Sequence, residues 1–179
     1  MKFRLANKSD ISNIAKLHAD SWQMNYRGSF SDEYLENEVH RDRLEVWTER
    51  LNNPTDTQHV LLAEEHEMLM GFVCTFLDYH KEWGAYLDNL HVQPTAYGQG
   101  LGGQLLVKSA AYVAKYRSNS ELYLWVLEKN LGAIRFYGRM GGLNKGSTEF
   151  QNPGGGKSNA LRIVWDNPSI VRNTTGRPL

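Results

Sequence analysis

The chain has 179 residues, 41% of them hydrophobic, which is enough for one domain with a substantial core. Lys plus Arg and Asp plus Glu number 20 each, so the net charge gives no reason to expect nucleic-acid or anionic-membrane partners. No apolar run approaches the roughly 18 residues of a membrane-spanning helix, Met1-Lys2-Phe3-Arg4-Leu5 lacks a signal-peptide core, and the single cysteine, Cys74, excludes an intrachain disulfide; a cytoplasmic location is expected.

In chain order, residues 2–5 read as a short strand. Ser9 or Asp10 is expected to cap a helix that carries Ile11, Ile14, Ala15, Leu17 and His18 at helical spacing. Ser31-Asp32-Glu33 starts another short helix, and residues 41–51 continue helical until Asn52-Asn53-Pro54 ends them. Residues 59–64 and 68–77 read as strands joined by a polar turn, and residues 85–92 as the next strand. A helix over 101–116, a strand over 121–127 and a helix over 130–140 follow. Residues 142–150 and 159–165 form a hairpin around Gly154-Gly155-Gly156. Residues 1–166 make the domain, and 167–179, with two prolines and few large apolar groups, read as a tail. The alternation of strands and helices implies an α/β domain, a mixed sheet with helices on both faces.

The most informative stretch joins the strand over 85–92 to the helix over 101–116. Gln93-Pro94-Thr95-Ala96-Tyr97-Gly98-Gln99-Gly100-Leu101-Gly102-Gly103 is a glycine-rich turn directly ahead of a helix. Such glycines let several N–H groups converge, and the helix adds its unsatisfied first-turn donors, so a phosphate or pyrophosphate is expected there. The dinucleotide fingerprint G-x-G-x-x-G needs a first βα turn, but a helical region and three strands precede this loop. The Walker pattern fails at Gly154-Gly155-Gly156-Lys157-Ser158, because its first glycine would fall at Gln151.

Two motifs in order carry a family resemblance. Leu87-Asp88-Asn89-Leu90-His91-Val92-Gln93-Pro94 followed by Tyr97-Gly98-Gln99-Gly100-Leu101-Gly102 resembles the acyl-CoA pyrophosphate signature of the GNAT acetyltransferase superfamily. About thirty residues on, Asn130-Leu131-Gly132-Ala133-Ile134-Arg135-Phe136-Tyr137 and the later Gly141 match its N-x-x-A-x-x-F-Y-x-x-x-G pattern. His18-Ala19-Asp20-Ser21-Trp22 through Gly28 is a weaker echo of the first helix and following loop. The resemblance covers about residues 2–166. It departs at Tyr97, where the family has Gln or Arg. A phenol donates one hydrogen bond and offers no guanidinium fork, so binding is expected to survive on backbone donors, though weakened.

The resemblance implies a mostly antiparallel sheet of six or seven strands, and an N-acetyltransferase that moves acetyl from acetyl-CoA to a primary amine. Direct attack in a ternary complex is expected, with no metal and no acyl-enzyme. It implies coenzyme A contacts from Leu90, Val92, Tyr97, Gly98, Gln99, Gly100, Leu101, Gly102, Gly103, Asn130 and Tyr137. Asn130 also reads simply as a helix cap. A backbone N–H of residues 90–92 would stabilise the oxyanion, and Tyr137 would protonate the leaving thiolate. An alkyl amine of pKa about 10.4 is neutral in roughly one molecule in 2,500 at pH 7, a handicap of about 4.6 kcal/mol that a base removes. Asp88, His91 and the more distant Glu82 are the candidates. Strand alternation puts Asp88, Leu90 and Val92 on one face and Asn89 and His91 on the other, and either face can meet the acceptor. Trp22, Tyr26 and Tyr34 are expected at the acceptor wall, although core packing suits them as well. Trp47, Trp83, Trp125 and Trp165 read as packing, and Cys74 as inert. The six histidines show no metal-binding spacing. The acceptor is a small-molecule or peptide amine, and the assembly a monomer or homodimer. The rival is a non-catalytic acyl-CoA sensor on the same fold, with a nucleotide-binding module a distant third.

Overall fold

A computed structural model describes residues 1–171. Its framework is a sheet of seven strands: β1 (Lys2–Leu5), β2 (Gln58–Glu65), β3 (Met68–His80), β4 (Gly84–Val92), β5 (Leu122–Leu127), β6 (Leu143–Gln151) and β7 (Lys157–Trp165). Their spatial order is β1-β2-β3-β4-β5-β7-β6. Every neighbouring pair is antiparallel except β4 and β5. A parallel pair needs a crossover, and here it is α4 (Leu101–Tyr116). The polar turn between β2 and β3 holds His66 and Glu67 at φ 49° and 64°, the twist that a two-residue hairpin favours.

The remaining helices are α1 (Ile11–Asn25), α2 (Asp32–Asn37), α3 (Val39–Asn52) and α5 (Leu131–Arg139). The start of α1 differs from expectation. Asn7 caps a 3-10 turn, Lys8–Asp10, that leads into the helix, and its side chain accepts from the Ser9 N–H. Asp10 instead accepts both Arg4 Nη donors at 2.7 Å and the Asn7 N–H at 2.8 Å, tying the first strand to the first helix.

The sheet separates two apolar layers. Val73, Leu77, Ala85, Leu87, Leu122, Leu124 and Val126 pack against Leu101, Leu105, Leu106, Ala110 and Val113 of α4. On the other face Phe72, Cys74, Val60 and Leu62 pack against Ile14 and Leu17 of α1 and Trp47 and Leu51 of α3. Period-2 alternation in β3 assigns Phe72 and Cys74 to one layer and Val73 to the other, so one strand feeds both cores. Residues 167–171, expected in the tail, fold back as a 3-10 turn, Pro168–Ile170, and buried Val171 joins the α4-side core. The rest of that expected tail, 172–179, lies outside the described residues. Among the described residues no helix is long and apolar enough to cross a membrane.

Leu105 is fully buried between α4 and the sheet. Leu105→Ala is expected to destabilise the fold by about 2–5 kcal/mol, read as a lower urea midpoint at unchanged slope.

Candidate active site

The parallel pairing of β4 and β5 lasts for only Ala85↔Leu122 and Tyr86↔Tyr123, after which the two strands separate. A cavity of about 1180 Å³ runs through this gap, lined by residues 86–92 of β4 and 124–127 of β5. The unpaired edge of β4 follows from its register with β3. The Gln93 N–H donates to the Met70 carbonyl at 2.8 Å, next to the pair Gly71↔Val92. Bonded and non-bonded pairs alternate in an antiparallel ladder, so His91 and Asn89 turn their backbone groups to β3. Leu90 and Val92 turn theirs the other way, into the gap.

A β-bulge overturns the expected alternation in β4. Cys74 pairs with Asn89 and Thr75 with Leu87, leaving Asp88 as an extra residue. Leu87, Leu90 and Val92 therefore belong to the α4 layer. Asp88 joins Asn89 and His91 on the α1/α3 face: Arg50 Nη1 of α3 lies 2.6 Å from Asp88 Oδ2 and donates to Asn89 Oδ1 at 3.0 Å. His91 Nδ1 is 2.8 Å from Ser21 Oγ of α1.

One end of the cavity is the glycine loop. Gly98 and Gly100 sit at φ 76° and 77°, left-handed conformations that suit glycine, and Gly100 is the N-cap of α4. Its carbonyl takes the Gln104 N–H at 3.1 Å, so the N–H groups of Leu101, Gly102 and Gly103 precede the first helical bond. Tyr97, Gly98, Gly100, Leu101, Gly102 and Gly103 all line the cavity. Gln99 does not; its Nε2 donates to the Thr95 carbonyl at 2.9 Å and braces the loop. Tyr97 is about half exposed at the rim. Asn130 lines the cavity and also caps α5, accepting from the Ala133 N–H at 3.1 Å. Tyr137 faces the same space from α5; burial raises its phenol, with Tyr26 adding to the shift, so its proton is retained at neutral pH.

The other end has aromatic walls. Trp22, Tyr26 and Phe30 line it, with Trp22 5.3 Å from Tyr26 and 5.2 Å from Phe30 between ring centres. Tyr34 does not line the cavity. It is buried behind the wall, and its hydroxyl donates to Asp42, which in turn accepts from Arg43 Nη2 at 2.9 Å. Glu82 is also away from the cavity, in an exposed loop where its N–H meets His80 Nδ1 at 3.2 Å. Trp125, expected to serve packing alone, lines the cavity.

Arg43 and Arg50 line it too, and neither was expected there. The signal was present as an i, i+4, i+7 stripe, Arg43, Trp47 and Arg50: a helix that buries Trp47 carries both arginines to the same side. Arg43 lies 4.2 Å over the Trp22 ring. Burial works against the charge of Arg50, and Asp88, joined by Cys74 and Tyr86, leaves its pKa raised on balance.

His91 is a poor base in this setting. Burial, with Arg43 adding to it, lowers its pKa to about 3. His18, its ring centre 4.5 Å away and tilted to it, is held well below its ordinary value by burial first and then by His91, Arg43 and Arg50. The Trp47 indole donates to His18 Nδ1 at 3.0 Å, which assigns the ring proton to Nε2. Burial pushes the Cys74 thiol up, in keeping with an inert side chain. Among the described residues no group of three or more His, Cys, Asp or Glu converges as a metal site would require.

The acetyltransferase (GNAT) family model matches residues 14–142. The chain belongs to the acetyltransferase (GNAT) family, and its fold is that of GNAT acetyltransferases. It is 27% identical over 137 residues to the uncharacterized N-acetyltransferase YuaI of Bacillus subtilis (strain 168), covering 75% of each chain. Among solved structures it resembles the PaiA N-acetyltransferase of Thermoplasma acidophilum in complex with coenzyme A, with TM-score 0.63 and 20% identity over 92% of this chain and 100% of that one. It also resembles yncA of Salmonella typhimurium with acetyl-CoA, with TM-score 0.65 and 18% identity over 92% of both chains. At these identities the structural likeness speaks for the fold.

A buried neutral histidine couples stability to pH. The unfolded chain binds protons at these sites below about pH 6.5 and the folded chain does not, so stability falls with acidification between that pH and about 3. From pH 7 to pH 5, His91 is expected to remove about 2 kcal/mol of unfolding free energy, with His18 acting in the same direction. Urea titrations at the two pH values test this, and His91→Gln should reduce the difference.

Proposed function

We propose that this protein transfers an acetyl group from acetyl-CoA to a primary amine by direct attack in a ternary complex. The observation that carries the reading is the gap between β4 and β5, which joins the glycine loop to the aromatic chamber in one continuous cavity. The loop suits the pyrophosphate of coenzyme A: two left-handed glycines and three free helix-start donors converge where an anion would sit. They do so without the Gln or Arg that family members carry at Tyr97. Arg139 at the end of α5 lines the same half and would add a cation for phosphate. The unpaired edge of β4 suits the amide-bearing pantetheine arm, through Leu90 and Val92.

When bound, acetyl-CoA supplies a thioester carbonyl. The N–H groups of Leu90 and Val92 are the donors for the negative charge that develops on its oxygen, as dipoles already fixed by the pairing of β4 with β3. Tyr137 keeps its proton at neutral pH and is the group to hand one to the sulfur, whose thiol form has an ordinary pKa of about 8.5. Asp88, carried into the cavity by the bulge and oriented by Arg50, is the favoured acceptor for the amine proton, directly or through water. His91 would become a buried cation in the field of Arg43 on taking that proton, whereas a carboxylate would become neutral. His91 is better read as packing behind Ser21.

Calorimetric titration with acetyl-CoA is expected to give a Kd in the micromolar range, with NAD and ATP not competing. Tyr137→Phe is expected to lower kcat about hundredfold in a thiol-release assay while changing acetyl-CoA affinity by no more than about threefold. Absent acetyl-CoA binding would sink the acetyl-transfer reading, and undiminished turnover in the variant would remove Tyr137 from its role.

A further inference from the structure

We infer that the acceptor is an amine bearing a carboxylate close to its nitrogen and a large apolar or aromatic side chain, as in an aromatic α-amino acid, and that Arg43 binds the carboxylate. This rests on the acetyl-transfer reading and narrows it to a substrate class. The charges that line the acceptor half are two guanidinium groups, Arg43 and Arg50, and one carboxylate, Asp88. Arg50 is already committed to Asp88 at 2.6 Å and to Asn89 at 3.0 Å. Arg43 is held differently. Its counter-ion Asp42, 2.9 Å away, sits behind the wall, and Tyr34 steadies Asp42 in turn; neither residue lines the cavity. The guanidinium is thus fixed from behind and laid over Trp22, and its Nε–H has no acceptor among the described residues.

A planar fork anchored this way is built to receive a carboxylate. A purely cationic acceptor such as a polyamine or a lysine side chain would meet two guanidiniums and a carboxylate that is already paired. A zwitterion meets the opposite arrangement: its carboxylate goes to Arg43 and its amine lies toward Asp88. The Tyr26 phenol feels both charges, since burial and then Asp88 raise it to about 12 while Arg43 opposes the rise. The rings of Trp22, Tyr26 and Phe30 offer an apolar surface to the side chain. In the transfer itself the amine loses a proton, its nitrogen–carbon bond forms as the thioester carbon–sulfur bond breaks, and the departing sulfur takes up a proton. The carboxylate is unchanged.

The test compares L-phenylalanine, L-phenylalaninamide and phenethylamine as acceptors for the full-length protein under saturating acetyl-CoA, read as kcat/KM by thiol release. Thermal stabilisation by each amine in the presence of coenzyme A is read in parallel. Two charge-assisted hydrogen bonds predict a preference for the free amino acid of about tenfold or more over both analogues. Arg43→Gln is expected to bring that ratio toward one. Equal or better use of the amide or phenethylamine by the wild-type protein, or no preferential stabilisation by L-phenylalanine, overturns the inference. Turnover in the same assay distinguishes this failure from failure of acetyl transfer: thiol release with the amide or phenethylamine keeps the first reading while the amino-acid preference is lost, whereas acetyl-CoA binding with no thiol release from any amine overturns both.

Discussion

The parting of β4 from β5 after two residue pairs is the feature on which the rest of the molecule depends. A parallel pair continued to the ends of both strands would close the sheet and leave no passage between its faces. Here the strands diverge while each remains fastened on its outer side, β4 to β3 and β5 to β7. The sheet stays intact as a scaffold, yet backbone donors and acceptors of Leu90 and Val92 are released at its centre. Unpaired backbone groups in a protein interior are expensive, and a partner that satisfies them binds with that advantage.

The bulge at Asp88 is the second half of the same device. One extra residue reverses the parity of β4, so that a carboxylate that would otherwise point to the α4 layer joins Asn89 and His91 on the other face. The reversal lets Leu87 and Leu90 both serve the α4-side core while Asp88 reaches Arg50. Polar chemistry and core packing thereby share one strand.

Electrostatics then divides the labour among groups that look interchangeable on paper. Asp88 and His91 are close in sequence and face the same helices. His91 is sealed against Ser21 and His18, where charging an imidazole has no compensation, whereas Asp88 has a guanidinium beside it. Arg43 and Arg50 differ in the same way, one with its counter-ion behind the wall and one with its counter-ion in the cavity.

Local patterns were enough for much of this protein. Hydrophobic periodicity marked most strands and helices, because burial on one face leaves a period of 2 or 3.6, while the exposed β6 was placed by the hairpin around Gly154-Gly155-Gly156 and α2 by its Ser31 cap. The glycines at 98 and 100 and the free donors ahead of α4 were legible because a left-handed turn has a local chemical signature. Asn130 and Tyr137 could be matched because they share a short helix with the rest of their motif. Asp10 stands at the N-cap of α1, but its carboxylate is claimed by Arg4 and makes no capping bond to that helix, and Tyr34 was expected at a wall that it supports from behind. The bulge, the place of the arginines on α3 and the burial of His91 depended on contacts between residues 12 to 70 positions apart, such as Thr75 with Leu87, Arg50 with Asn89 and His91 with Ser21. Sequence alone therefore determined the elements, the glycine loop ahead of α4 and the class of chemistry, which short-range patterns encode. Which face Asp88 occupies, which charges meet the acceptor and which side chains stay neutral were decided only by tertiary structure, because strand register and burial are properties of the packed chain.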